Sequence, residues 1–213
     1  MKLKLKQKQK TKLKQKLIEQ QLELIKLKEL LAIISFIGVA AGLRSALQWL
    51  PSIEPLTFFA VLGGWLFGRK KGFLIGASSL YISNFFVFGG QGPWTLPQLF
   101  CFGVAGWLGG LVGKKLNFIK SIFVMLLATV FFELVMNAYS AIFFGGNLLL
   151  ALVTALPFSL THLVSNAVFA LALPFFAQRL VREGFHEKEF ITNAIAAIRN
   201  YGKQLFKRTK ERA

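Results

Sequence analysis

The sequence predicts an all-helical membrane protein, six spans in one bundle with a basic tail at each end. Three observations predict it. The 213 residues are 54% hydrophobic yet carry a formal net charge of +17. Charge is segregated: residues 1–30 hold ten Lys and three Glu, residues 179–213 hold nine Lys or Arg and four Glu, and the 148 residues between hold seven basic and two acidic side chains. Apolar stretches in that middle region are separated by short hinges, as expected of helices that cross a bilayer core of roughly 30 Å.

Taken in order, residues 1–30 form a Lys-rich cytoplasmic arm or helix. Lys fills every even position from Lys2 to Lys16, and a period of two puts charge all round a helix, which predicts a solvated arm. From Leu17, the spacing of Leu22, Ile25 and Leu30 leads helically into the first span. The membrane domain, 31–178, has spans at about 31–49, 56–68, 72–88, 97–113, 118–143 and 148–178, the last long enough to be tilted or broken at Pro157. The hinges after spans two and four contain Arg69-Lys70-Lys71 and Lys114-Lys115, whereas those after spans one, three and five contain no Lys or Arg. The positive-inside rule therefore puts both termini and the basic hinges in the cytoplasm, in a multi-pass protein of the plasma membrane. Residues 179–213 place Ile191, Ile195, Ile198, Tyr201 and Leu205 at helical spacing, which predicts a basic amphipathic helix on the cytoplasmic membrane surface.

The same counts exclude several classes. A single cysteine, Cys101, forbids an internal disulfide and a Cys-based zinc site. The basic leader is too long for a cleavable signal peptide. Gly113-Lys114-Lys115 lacks the upstream Gly and the following Ser or Thr of a phosphate loop. Basic residues beside a membrane domain meet anionic lipid before nucleic acid, at about 1 kcal/mol per residue. His186 reads as an ordinary surface histidine.

Polar groups inside the spans are costly and face a cavity or a partner. They are Arg44, Asn84, Glu133, Asn137, Thr161, His162, Ser165 and Asn166. Two readings stand: Arg44 pairs with Glu133 and locks the bundle, or these groups line a cavity that opens outward. Two helices carry small residues on one face: Gly38, Gly42 and Ala46 in span one, with Ala41 and Ser45 beside them, and Ala105, Gly109 and Gly113 in span four, with Gly106 and Gly110 beside them. Such faces allow close helix approach, either inside the bundle or against a separate membrane subunit.

With these residues in place, the chain resembles the substrate-specific S-component of energy-coupling factor (ECF) vitamin transporters. The resemblance covers about 31–178 and rests on six spans, cytoplasmic termini, the small face of span one, and the order Arg44, Pro51, Pro55, Gly63-Gly64, Gly68, Asn84, Gly92-Pro93-Trp94-Thr95, Gln98, followed by a glycine-rich fourth helix. It implies capture of a vitamin or cofactor precursor at the outer face, then association with a membrane scaffold subunit and two ATPase subunits. The outer loops after helices one and three would cover the solute, with Trp94 over a flat ring and Gln91, Thr95 and Gln98 as hydrogen-bonding groups; Trp94 as an interfacial anchor is the alternative. Arg44, Asn84, Glu133, Asn137 and His162 complete the expected binding set, and Gly38, Ala41, Gly42, Ser45 and Ala46 the expected scaffold-docking set. Arg44 favours a carboxylate or phosphate on the solute, if Glu133 does not neutralise it. No catalytic residue, metal site or cofactor is expected in the chain itself. A solitary carrier of the same fold, an intramembrane hydrolase suggested by Phe158-x-x-x-His162 and His162-x-x-x-Asn166, and a membrane anchor remain as alternatives.

Overall fold

Each predicted apolar segment folds as a helix. The computed structural model describes residues 2–113 and 115–183, with side chains at Lys16 and from Glu19 onward. The helices are α1 (Lys2–Leu47), α2 (Pro55–Phe67), α3 (Arg69–Ser83), α4 (Thr95–Gly109), α5 (Phe118–Phe143) and α6 (Leu148–Arg182), and no strand occurs among the described residues.

The chain divides into two units. The described part of the first is the N-terminal portion of α1, up to Ala32. The lysine-rich segment is helical, one of the two forms, arm or helix, expected of it. Lys, Leu and Gln are all good helix formers, and neither Gly nor Pro interrupts the run before Gly38. The predicted C-terminal amphipathic helix and His186 lie outside the described residues.

The second unit is Ile33–Glu183. Its helix boundaries follow local chemistry. Pro55 opens α2 at the position where a missing N–H costs nothing. Gly68, with φ of 88°, ends α2 and begins α3, so a single residue in a conformation open to glycine turns the hairpin. Asn117 and Asn147 cap α5 and α6, their side-chain oxygens accepting from the backbone N–H of Lys120 and Leu149. Helix α6 continues through both Pro157 and Pro174, so the break considered at Pro157 does not occur. Thr154, in the preceding turn, donates to the carbonyls of Leu150 and Ala151 at 2.9 and 3.1 Å.

Length separates the helices into two groups. Glu19–Leu47, Phe118–Phe143 and Leu148–Arg182 are long and apolar enough to cross a membrane. Helices α2, α3 and α4 have 13, 15 and 15 residues, or about 20–23 Å at 1.5 Å per residue.

The short helices pack through glycine. A Cβ added at Gly64 would strike the Gly106 carbonyl, one at Gly76 the Phe102 carbonyl, one at Gly106 the Gly72 carbonyl and one at Gly109 the Val61 carbonyl. Backbones of α2, α3 and α4 therefore touch directly, and Gly106, Gly109 and Gly110 are internal packing, whereas Gly113 lies past the end of α4 and a Cβ there would meet nothing within 4 Å. The face on α1 is the opposite case. A Cβ at Gly38 or Gly42 would meet nothing within 4 Å, and Ala46 is exposed, while Ala41 is buried and Ser45 half-buried. Beside this face, Ala40 packs with Leu56, Leu80 and Phe102 in the core, flanked by Phe59, Leu99 and Phe132.

Candidate functional site

Two polar clusters form within the Ile33–Glu183 unit. The first gathers at the end of α3 opposite Arg69–Lys71. Arg44 projects from the last turn of α1, and its Nη1 donates to Ser83 Oγ at 2.8 Å and to Asn84 Oδ1 at 2.6 Å. Its Nε donates to Glu54 at 3.3 Å. Arg44 therefore does not pair with Glu133. Glu54 stands ten residues away in chain, and closing that short loop costs less entropy than closing the long one to α5. The side chains of Arg44 and Glu54 are only 13% and 22% exposed, so each charge depends on the other for compensation.

A cavity of about 140 Å³ lies over this pair, lined among others by Arg44, Gln48, Ser52, Glu54, Val87 and Phe88. Its walls come from the loops after α1 and α3. These loops are fastened together: the Phe88 backbone N–H donates to Gln48 Oε1 at 2.9 Å, and the Trp49 and Phe88 rings meet edge to face at 4.8 Å. Ser52 takes φ of 60° to turn the first loop.

Residues 91–98 stand apart from that lining. Gln91 Nε2 donates to the Tyr81 carbonyl at 2.9 Å, Thr95 Oγ1 donates to Gln91 Oε1 at 3.1 Å, and the Gly92 N–H donates to Thr95 Oγ1 at 3.0 Å. The loop's polar groups thus hold its own turn and start α4. A Cβ on Gly92 would fall 2.5 Å from the Trp94 indole, so the ring lies on its own loop, half-buried. Gln98 Oε1 and Asn84 Nδ2 are buried without a hydrogen-bond partner among the described residues.

The second cluster lies on the seam between α5 and α6. Glu133 and His162 Nδ1 are 2.7 Å apart, and Ser159 Oγ donates to the other oxygen of Glu133. One turn away, Asn166 Nδ2 donates to Thr129 Oγ1 at 2.7 Å, and Asn137 Nδ2 donates to the Glu133 backbone carbonyl at 2.8 Å. The Phe132 ring stands edge-on to His162 at 5.4 Å. Among the described residues no three His, Cys, Asp or Glu side chains gather to hold a metal ion.

The expected site residues are thus divided. Arg44 and Asn84 meet; Glu133 and His162 meet, while Asn137 bonds only the Glu133 backbone carbonyl of its own helix; Gln91, Trp94 and Thr95 form a separate loop. Glu54, Gln48, Ser83 and Ser159 were not singled out from the sequence. Glu54 left a signal there, since it and Glu133 are the two acidic residues of 31–178 and an arginine inside that region needs one of them.

Among the described residues the fold is all-helical, with three helices long and apolar enough to cross a membrane and a largely buried Arg44–Glu54 ion pair. Residues 25–187 match a family of unknown function (DUF6580), and the chain belongs to that family. The match begins within α1 after the lysine run. No curated protein and no solved structure matches the chain.

Proposed function

We propose that the chain is the substrate-capture subunit of an ATP-driven ECF-type importer. It takes up a vitamin or cofactor precursor and leaves ATP hydrolysis to partner ATPases. The observation that carries this reading is the cavity at Arg44, walled by the loops after the first and third helices, where the resemblance expects solute to be covered. The cavity lies at the end of α3 remote from the basic hinge. In this reading all six helices cross the membrane, with both termini and the basic hinges cytoplasmic, the short helices completed by their loops and by local thinning of the bilayer. The open face of Gly38, Gly42 and Ala46 is available to a scaffold subunit, and the lysine run to anionic lipid.

Magnitudes sharpen the proposal. Ligand sites usually enclose about 300–1,000 Å³, so a cavity of about 140 Å³ has to widen to hold a vitamin-sized solute. The Gln48–Phe88 clasp must part to admit solute. Because Glu54 neutralises Arg44, the site favours a neutral or zwitterionic solute over the free anion that Arg44 alone would select. Gentle purification followed by native mass spectrometry tests the reading: a bound small molecule and two copurifying ATPases support it. Their absence on coexpression with an ECF scaffold and its ATPases refutes it.

The Glu133–His162 contact favours a second reading, an intramembrane hydrolase in which the glutamate and histidine act on water. Proteolysis of a membrane peptide that is lost in Glu133→Gln would establish it in place of the first.

A further inference from the structure

We propose that α1 pairs with α1 of a second copy of this chain, through a parallel coiled coil formed where the helix leaves the membrane. The apolar stretch Glu19–Leu47 has 29 residues, or about 43 Å at 1.5 Å per residue, and a bilayer core takes up about 20 of them. Glu19, Glu23, Lys26, Lys28 and Glu29 crowd the N-terminal part of the stretch, and Arg44 is the one charged residue after them. The surplus turns therefore lie at the N-terminal end, in water.

Those turns carry an uncovered apolar face. Leu24 and Leu27 are 57% and 50% exposed, and Leu31, one turn on, is 53% exposed. Leu22 and Ile25, on another side of the helix, are half-buried, and Ala32 beside them is buried. Lipid tails can cover Leu31, but they do not reach Leu24 and Leu27.

The uncovered residues keep the register of a coiled coil. Gln20, Leu24, Leu27, Leu31 and Ile34 follow one another at alternating steps of four and three, and Leu13 and Leu17 extend the series backwards in the sequence. That makes three heptads with apolar a and d positions, interrupted once by Gln20. A polar residue at one core position costs stability and fixes the register. Lys6 and Lys10 fall at the next core positions and end the seam. In this register Glu23 is a g position and Lys28 the e position five residues on. Across a parallel pair each g faces the partner's following e, so Glu23 of each copy meets Lys28 of the other. Two copies inserted the same way through one membrane run parallel, so the charges and the membrane select the same arrangement.

Disulfide trapping of the full-length protein in membrane vesicles tests the pairing. The wild type, whose single cysteine is the buried Cys101, is the blank. Leu24→Cys and Leu27→Cys should each give a disulfide-linked dimer on mild oxidation, because core positions bring the two Cα atoms within the roughly 4.4–6.8 Å that a disulfide spans. Lys26→Cys, off the seam, should stay near the blank. In the Leu27→Cys protein, Glu23→Lys sets lysine against lysine at two places and should lower the trapped fraction about fivefold; adding Lys28→Glu should restore it. Every side chain changed is exposed, so an unaltered melting temperature accompanies each result. Equal trapping at Leu27 and Lys26, or a yield that the charge reversal leaves in place, would overturn the pairing. So would an absence of dimer at every position, which would make residues 184–213 of the same chain the cover for this face. None of these readouts depends on a solute or on ATPase partners.

Discussion

Gly106→Ala is the sharpest probe of how the short helices are held. The added methyl would overlap the Gly72 carbonyl, an atom of the facing backbone. No rotamer change can move it aside, so α3 and α4 must separate. Overpacking usually costs about 1–3 kcal/mol, and a backbone clash belongs at the upper end. For a unit of this size each kcal/mol lowers Tm by roughly 2–4 °C, which gives a drop of about 6–12 °C. Gly42→Ala is the matched control, because its methyl would meet nothing within 4 Å. Alanine is favoured over glycine in a helix by about 1 kcal/mol, so that variant should melt at the wild-type temperature or slightly above. Scanning fluorimetry of both proteins in one detergent, following the four tryptophans, provides the comparison. Equal melting temperatures for the two variants would refute the argument that α3 and α4 meet backbone to backbone while the α1 face is open.

Gln48→Ala removes the side chain that accepts from Phe88, and a lost hydrogen bond of about 0.5–1.5 kcal/mol should quicken release of bound solute by roughly 2–12-fold, read in a dissociation time course. Cys101 is buried, so introduced cysteines report cleanly on topology: Ser52→Cys and Asn147→Cys should label from outside intact cells, and Lys70→Cys should not. Gly42→Leu or Ala46→Trp should block assembly with a scaffold subunit and spare solute binding, seen by copurification beside a binding assay; the reverse pattern would make that face part of the solute site.

The sequence by itself determined the helices, their approximate ends and the apolar character that three of them need to enter a membrane. Those properties are local. Run length, Pro55 at a helix start, Gly68 between two helices, and Asn117 and Asn147 as caps act within a turn or two of their own position. The sequence also showed that each of the two small-residue faces permits close approach, but not which one is used. That depended on whether another backbone lies opposite: Gly106 faces Gly72, and Gly42 faces nothing. Charge pairing was decided in the same way. Arg44 had two acidic candidates, and the fold gave it Glu54 by bringing the loop after α1 back over the end of α3, while the antiparallel packing of α5 and α6 set His162 against Glu133. Contacts between groups distant in the chain depend on helix register and crossing, which arise from the packing of whole faces and not from the residues that end up in contact.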